Sequence, residues 1–141
     1  MPAFPKSSPT RPRVLVLDAD PPQLDSICRG LHLYGYHCEG VPSVEAALQA
    51  LFAPRARDFD LVLTDLTLLG PAGLALIERL QRQRPDLPIV IITGLAYSPE
   101  QGLVRDQKLP SLRKPYDPEA LDATLRRVLG RRPREGQPPG Q

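Results

Sequence analysis

Three charged residues stand where apolar runs end. Asp18 closes Arg13-Val-Leu-Val-Leu-Asp18, Asp65 closes Asp60-Leu-Val-Leu-Thr-Asp65, and Lys114 follows Leu112-Arg113 directly before Pro115. In an open parallel sheet, ligand chemistry gathers beyond the carboxyl ends of the strands, so these groups are expected to share one pocket. Two acids and an ammonium around an open mouth suit Mg²⁺ and phosphoryl transfer. Mg²⁺ takes about six oxygens and usually draws one or two from protein carboxylates, the rest from water and phosphate; Asp18 and Asp65 are the expected donors. An aspartate beside a cation stays ionised and can attack a phosphoryl group to give an acyl phosphate. The transferring group then needs its oxygens neutralised. Lys114 would supply the point charge, and Thr93, at the end of Ile89-Val-Ile-Ile-Thr93, a hydroxyl. Pro115 lacks an N–H and restrains the backbone after the lysine.

Those residues need a scaffold, and the pattern of apolar residues supplies one. Val14 to Leu17 is a continuous apolar run, typical of a strand buried on both faces. Pro21 and Pro22 suit a helix start, after which Leu24, Ile27, Cys28 and Leu31 recur at helical spacing. Gly35 stops that helix, Tyr36 to Val41 reads as a second strand, and Ser43 with Glu45 opens a second helix. Phe59 to Thr64 is the third strand, Gly70, Pro71 and Gly73 a turn into a third helix, and Ile89 to Thr93 the fourth strand. Ser98-Pro99-Glu100 caps a short helix to about Gln107. Leu109 to Arg113 reads as a weak fifth strand, and Asp117-Pro118-Glu119 starts a last helix. Five βα units with right-handed crossovers predict an α/β fold, flavodoxin-like and doubly wound, with a five-stranded parallel sheet in the order 2-1-3-4-5.

The 141 residues suit one domain, and 41% hydrophobic with 24% charged residues is ordinary for a globular chain. A net charge of +2 is too small to point to nucleic acid, so no direct nucleic-acid binding is expected. Tryptophan is absent, so Leu, Val, Ile and Ala must build the core. Cys28 and Cys38 lack CxxC spacing and are read as reduced core thiols. No apolar run approaches the roughly 18 residues of a membrane span and no signal-peptide pattern opens the chain, so a cytoplasmic protein without membrane contact is expected. Prolines crowd both ends. Residues 1–12 and 131–141 read as disordered tails, the second basic, around a domain at 13–130. His32 and His37 read as solvent-facing, Tyr34 and Tyr36 as packing groups, and Glu78, Arg79, Arg82 and Arg84 as a solvated helix face.

Taken together, these motifs resemble the receiver domain of bacterial response regulators, the phosphoacceptor module of two-component signalling. Val14-Leu-Val-Leu-Asp18 resembles the family's first strand with its acid, and Asp60 to Asp65, with Gly73 beyond it, the phosphoacceptor strand and turn. Ile91-Ile-Thr93-Gly94 resembles the switch-threonine strand, and Lys114-Pro115-Tyr116 the lysine-proline motif with an aromatic following. Gly35-Tyr36 and Ser43-Val-Glu-Ala-Ala-Leu48 match the second strand and helix. The likeness spans about residues 13 to 130. It implies that Asp65 accepts phosphate from a histidine kinase or phosphotransfer protein, that Lys114 binds a phosphoryl oxygen, that Thr93 swings toward it, and that the Thr67 carbonyl joins the Mg²⁺ site. Output would pass to a downstream protein through the helix after the fourth strand, the fifth strand and the last helix; a homodimer through surface contacts also fits. With about a dozen residues after the last helix, a stand-alone receiver is expected. The only chemistry would be Mg²⁺-dependent self-phosphorylation, so no enzyme is expected.

Three departures set this chain apart. Ala19 stands where the family carries a second acid, usually a direct metal ligand, so Mg²⁺ binding should weaken; Asp20 is the residue that would compensate. Leu69 replaces a proline past the phosphoacceptor. Ser111 replaces the switch aromatic, a role Tyr97 would have to fill. Ala19 and Ser111 favour an alternative, a phosphorylation-independent pseudo-receiver that docks proteins. Asp18-Ala19-Asp20 also looks like the opening of haloacid-dehalogenase-type phosphatases, but Pro21-Pro22 breaks the expected continuation, no later acid pair completes that site, and Asp65 is left without a role.

Overall fold

Parallel strands buried on both faces must be apolar throughout, and the centre of this sheet meets that demand. The computed structural model describes residues 11–52, 58–65, 70–94 and 109–131. Its strands are β1 (Arg13–Leu17), β2 (His37–Val41), β3 (Leu61–Asp65), β4 (Ile89–Thr93) and β5 (Ser111–Arg113). All are parallel, in the order β2-β1-β3-β4-β5. Every residue of β3 and β4 is buried, while the edge strands β2 and β5 are mostly half-buried or exposed. The predicted fold and strand order are therefore those observed.

Four helices are described: α1 (Pro21–Leu33), α2 (Val44–Phe52), α3 (Gly70–Gln83) and α4 (Pro118–Arg131). Alternation along the strands divides the core in two. Val14, Val16, Leu61, Leu63, Val90 and Ile92 pack with Ile27 and Leu31 of α1 and Leu121, Leu125 and Val128 of α4. Leu15, Leu17, Val62, Ile89 and Ile91 pack with Ala47 and Leu51 of α2 and Leu76, Ile77 and Leu80 of α3. Truncating one such leucine, Leu125 for example, would cost about 2–5 kcal/mol.

Local signals set the ends. Pro21 begins α1 at its first turn, where a missing N–H costs nothing. Gly35, at φ 96°, takes the left-handed conformation that closes α1 and turns the chain into β2. Ser43 Oγ accepts from the Ala46 N–H at 3.1 Å ahead of α2, and Asp117 Oδ1 from the Ala120 N–H at 2.7 Å ahead of α4.

Several expectations change. Cys28 and Cys38 are not free thiols. They form a disulfide between α1 and β2, with Cα atoms 5.5 Å apart, because the chain doubles back through Gly35 and lays β2 alongside the helix. β3 starts at Leu61 rather than Phe59, since Asp60 is engaged with Arg13: the Asp60 N–H donates to the Arg13 carbonyl at 2.7 Å and the Arg13 N–H to Asp60 Oδ2 at 2.8 Å. The Gly70-Pro71-Gly73 turn is already the first turn of α3. Pro12, assigned to the tail, is tied to β2 by accepting from the His37 N–H at 2.9 Å, and Arg131 is the last residue of α4. Arg79 is not simply solvated, lying 4.2 Å from the centre of the Phe52 ring. Tyr36 is fully buried, yet its hydroxyl donates to Asp122 Oδ1 of α4 at 2.9 Å, while His32 and His37 are exposed as expected. The predicted helix at 98–107 and residues 1–10 and 132–141 of the tails lie outside the described residues. Among the described residues no helix is long and apolar enough to cross a membrane.

Candidate functional site

Parallel register brings the strand ends level. Leu17 pairs with Thr64, so Asp18 stands abreast of Asp65; Asp65 pairs with Ile92, just before Thr93; and Thr93 pairs with Arg113, just before Lys114. Backbone bonds continue past the strands. The Asp18 N–H donates to the Val41 carbonyl at 3.2 Å, and the Lys114 N–H to the Thr93 carbonyl at 2.9 Å. The structure thus brings Asp18, Asp65, Thr93 and Lys114 to adjacent tips on one edge of the sheet.

The two acids are completely buried and Thr93 almost so. Lys114 Nζ reaches in from the partly open side and forms an ion pair with Asp65 Oδ2. The Lys114–Pro115 peptide is cis. Asp18 Oδ1 accepts from the Asp20 N–H at 2.9 Å, but Asp18 Oδ2 is buried with no hydrogen-bond partner among the described residues. Burial pushes the Asp18 carboxyl above its usual range and the Asp65 charge adds to this, against the Asp20 N–H and Lys114, which hold it down. A buried carboxylate with one unpartnered oxygen, beside a second acid, is a donor set that suits a hard divalent cation. No cluster of three His, Cys, Asp or Glu side chains surrounds it among the described residues.

Ala19 and Asp20 follow Asp18 at this strand tip. Both residues are exposed, and Asp20 precedes α1 without capping it through its side chain. Ser111 is exposed at the start of β5. Thr67, Leu69 and Tyr97 lie outside the described residues. Tyr116, the aromatic after the lysine-proline pair, is half-buried and lies within reach of the charges of both acids. Its hydroxyl is pushed up to about 12 by burial, then by the charges of Asp18 and Asp65. Its place two residues beyond Lys114 was the available signal.

Comparison with known proteins agrees with this geometry. Residues 14–126 match the profile of the response regulator receiver domain. The transcriptional regulatory protein ZraR of Escherichia coli O157:H7 is 34% identical over 119 residues, covering 82% of this chain and 26% of that protein. The phosphate regulon regulator PhoB of Pseudomonas aeruginosa is 30% identical, covering 84% and 52%. The photosynthetic apparatus regulator RegA of Rhodovulum sulfidophilum is 32% identical, covering 81% and 61%. The chain thus spans between about a quarter and three fifths of the length of these relatives. Among solved structures, a receiver domain from Clostridium thermocellum superposes with a TM-score of 0.76 at 21% identity, covering 85% of this chain and 95% of that one, which speaks to the fold. The non-phosphorylated HemR receiver domain of Leptospira biflexa gives 0.72 at 27% identity, covering 88% and 99%. Receiver domains generally bind Mg²⁺ in an acidic pocket, and they are signalling phosphoacceptors rather than enzymes. With sequence, strand order and relatives in agreement, the chain belongs to the response regulator receiver domain family of bacterial two-component systems.

Proposed function

We propose that Asp65 accepts a phosphoryl group from a histidine kinase or phosphotransfer protein, and that a domain at about residues 13–130 passes the change to a downstream protein in the cytoplasm. The observation that carries this reading is the buried Asp65 carboxylate, ion-paired to Lys114 and abreast of Asp18. In the step itself an Asp65 carboxylate oxygen bonds to phosphorus as the donor's phosphorus–nitrogen or phosphorus–oxygen bond breaks, and the donor leaves with that electron pair. Lys114 Nζ then exchanges Asp65 Oδ2 for a phosphoryl oxygen, staying a positive charge beside a group that has become more negative. The Thr93 hydroxyl donates to another phosphoryl oxygen. Asp18 and Asp65, with the Thr67 carbonyl, are the proposed ligands of Mg²⁺, which when bound neutralises charge on the transferring group. The surface of β5, α4 and the segment before β5 is the proposed contact for the downstream protein.

A second reading, a docking module that ignores phosphate, is favoured by one observation: Ala19 stands beside Asp18 where the resemblance expects a second carboxylate. Intact mass after incubation with acetyl phosphate and Mg²⁺ separates the two. One phosphoryl adduct on the native chain and none on Asp65→Asn is the expected result. A folded native chain with no adduct would support the docking module instead.

A further inference from the structure

Cys28 lies midway along α1 and Cys38 is the second residue of β2, ten positions on. Both are half-buried, and they form the floor of a recess of about 440 Å³ walled by Arg29, His32 and Leu33. All three of these neighbours are exposed and both half-buried cysteines line the recess, which opens to solvent. We propose that Cys28 and Cys38 are a thiol–disulfide exchange site for small soluble thiols, and that their redox state sets how firmly β2 holds the Asp18 end of β1.

The second half of this proposal comes from connectivity. From Asp18 the chain runs through α1 to Cys28, crosses the disulfide to Cys38, follows β2 to Val41, and returns to Asp18 through the Val41 carbonyl and the Asp18 N–H. Leu24 of α1 packs tightly over Gly40 of β2 inside the same circuit. Opening the disulfide removes the one covalent link in this circuit outside the main chain. The apolar contacts of Ile27 and Leu31 stay, so α1 remains docked while the edge strand loosens. In the proposed cytoplasmic setting, disulfides are mostly transient, catalytic or redox-sensing ones.

The chemistry balances with a thiol as the only co-reactant. A thiolate attacks one cysteine sulfur, a mixed disulfide forms, and the other cysteine leaves as thiolate and takes a proton from water. A second thiol attacks the mixed disulfide, releasing the remaining cysteine thiolate and a small-molecule disulfide. The protein disulfide gains two electrons and two small thiols lose them. This inference does not depend on the phosphoacceptor reading, and its readouts need no phosphate.

The test is alkylation with iodoacetamide without denaturant, counted by intact mass before and after dithiothreitol, on protein purified without reductant. No addition before and two after is expected, with the fold retained by circular dichroism. Oxidised glutathione should then add one glutathione or restore the bond. Hydrogen exchange at the Asp18 amide should rise several-fold on reduction, and a Cys28→Ser, Cys38→Ser chain should show the raised rate with no response to dithiothreitol. Two additions before reduction, or thiols released only in denaturant, would overturn the exchange site. An unchanged Asp18 amide in folded, reduced protein would overturn the link to β1.

Discussion

Asp20 holds Asp18 through its backbone: its N–H donates to Asp18 Oδ1 at 2.9 Å, and the residue itself is exposed. The backbone bond holds one Asp18 oxygen and leaves Oδ2 buried and unpartnered among the described residues. Two of the family's adjacent acids are thereby reduced to one inward carboxylate. We predict that Ala19→Asp tightens Mg²⁺ binding by about 1–3 kcal/mol, roughly 5- to 150-fold in Kd. Calorimetric titration with Mg²⁺ checks this; an unchanged Kd would mean that residue 19 does not reach the cation.

Asp18 also gives the pocket a pH dependence. Its folded pKa lies above the ordinary 3.8, chiefly because of burial. The fold therefore binds this proton more readily than the unfolded chain does. At neutral pH the ionised carboxylate is a cost to the fold, and stability from this group rises as pH falls through the folded pKa, with the gain complete below the unfolded value. Asp18→Asn should accordingly raise the thermal midpoint at neutral pH without divalent cations, and the difference from the native chain should shrink toward pH 4 and below. A midpoint lowered at neutral pH would count against this account.

Gly40 is exposed yet crowded. A Cβ placed there would lie 2.8 Å from Leu24 Cγ and 2.9 Å from its Cδ1. Adding a methyl group inside a strand ordinarily helps stability, but here α1 must move or Leu24 must change rotamer. Gly40→Ala is predicted to cost about 1–3 kcal/mol. Urea unfolding measures it, and a midpoint equal to or above that of the native chain would show that Leu24 yields without cost.

The Tyr36 hydroxyl bonds Asp122 Oδ1, and the other oxygen of Asp122 accepts from Arg126 Nε at 2.8 Å. Tyr36→Phe keeps the buried ring and removes only the donor. A loss of about 1–2 kcal/mol is expected, the range for a hydrogen bond to a charged group with some exposure. Retained stability in urea would assign Asp122 to Arg126 alone.

Sequence was most informative where one local rule decides the outcome. Apolar runs such as Ile89 to Ile92 can only be interior parallel strands, and once the strands are parallel Asp18, Asp65, Thr93 and Lys114 must share an edge. What escaped depends on distances that no local pattern encodes. The Cys28–Cys38 bond requires knowing how far α1 leans on β2, and the Tyr36–Asp122 bond joins residues 86 positions apart. The exposed side chain of Asp20 was likewise settled by the backbone leading into α1, not by its distance from Asp18 in the chain.

Tyr116, whose hydroxyl feels the charges of Asp18 and Asp65, gives the pocket an optical signal of its own. The chain has four tyrosines and no tryptophan, so its ultraviolet emission comes from phenols alone. The emission of a phenol depends on the charge around it. Any cation or phosphoryl group that changes the charge at those acids should change the emission of Tyr116, and events at Asp65 become visible in the unlabelled protein.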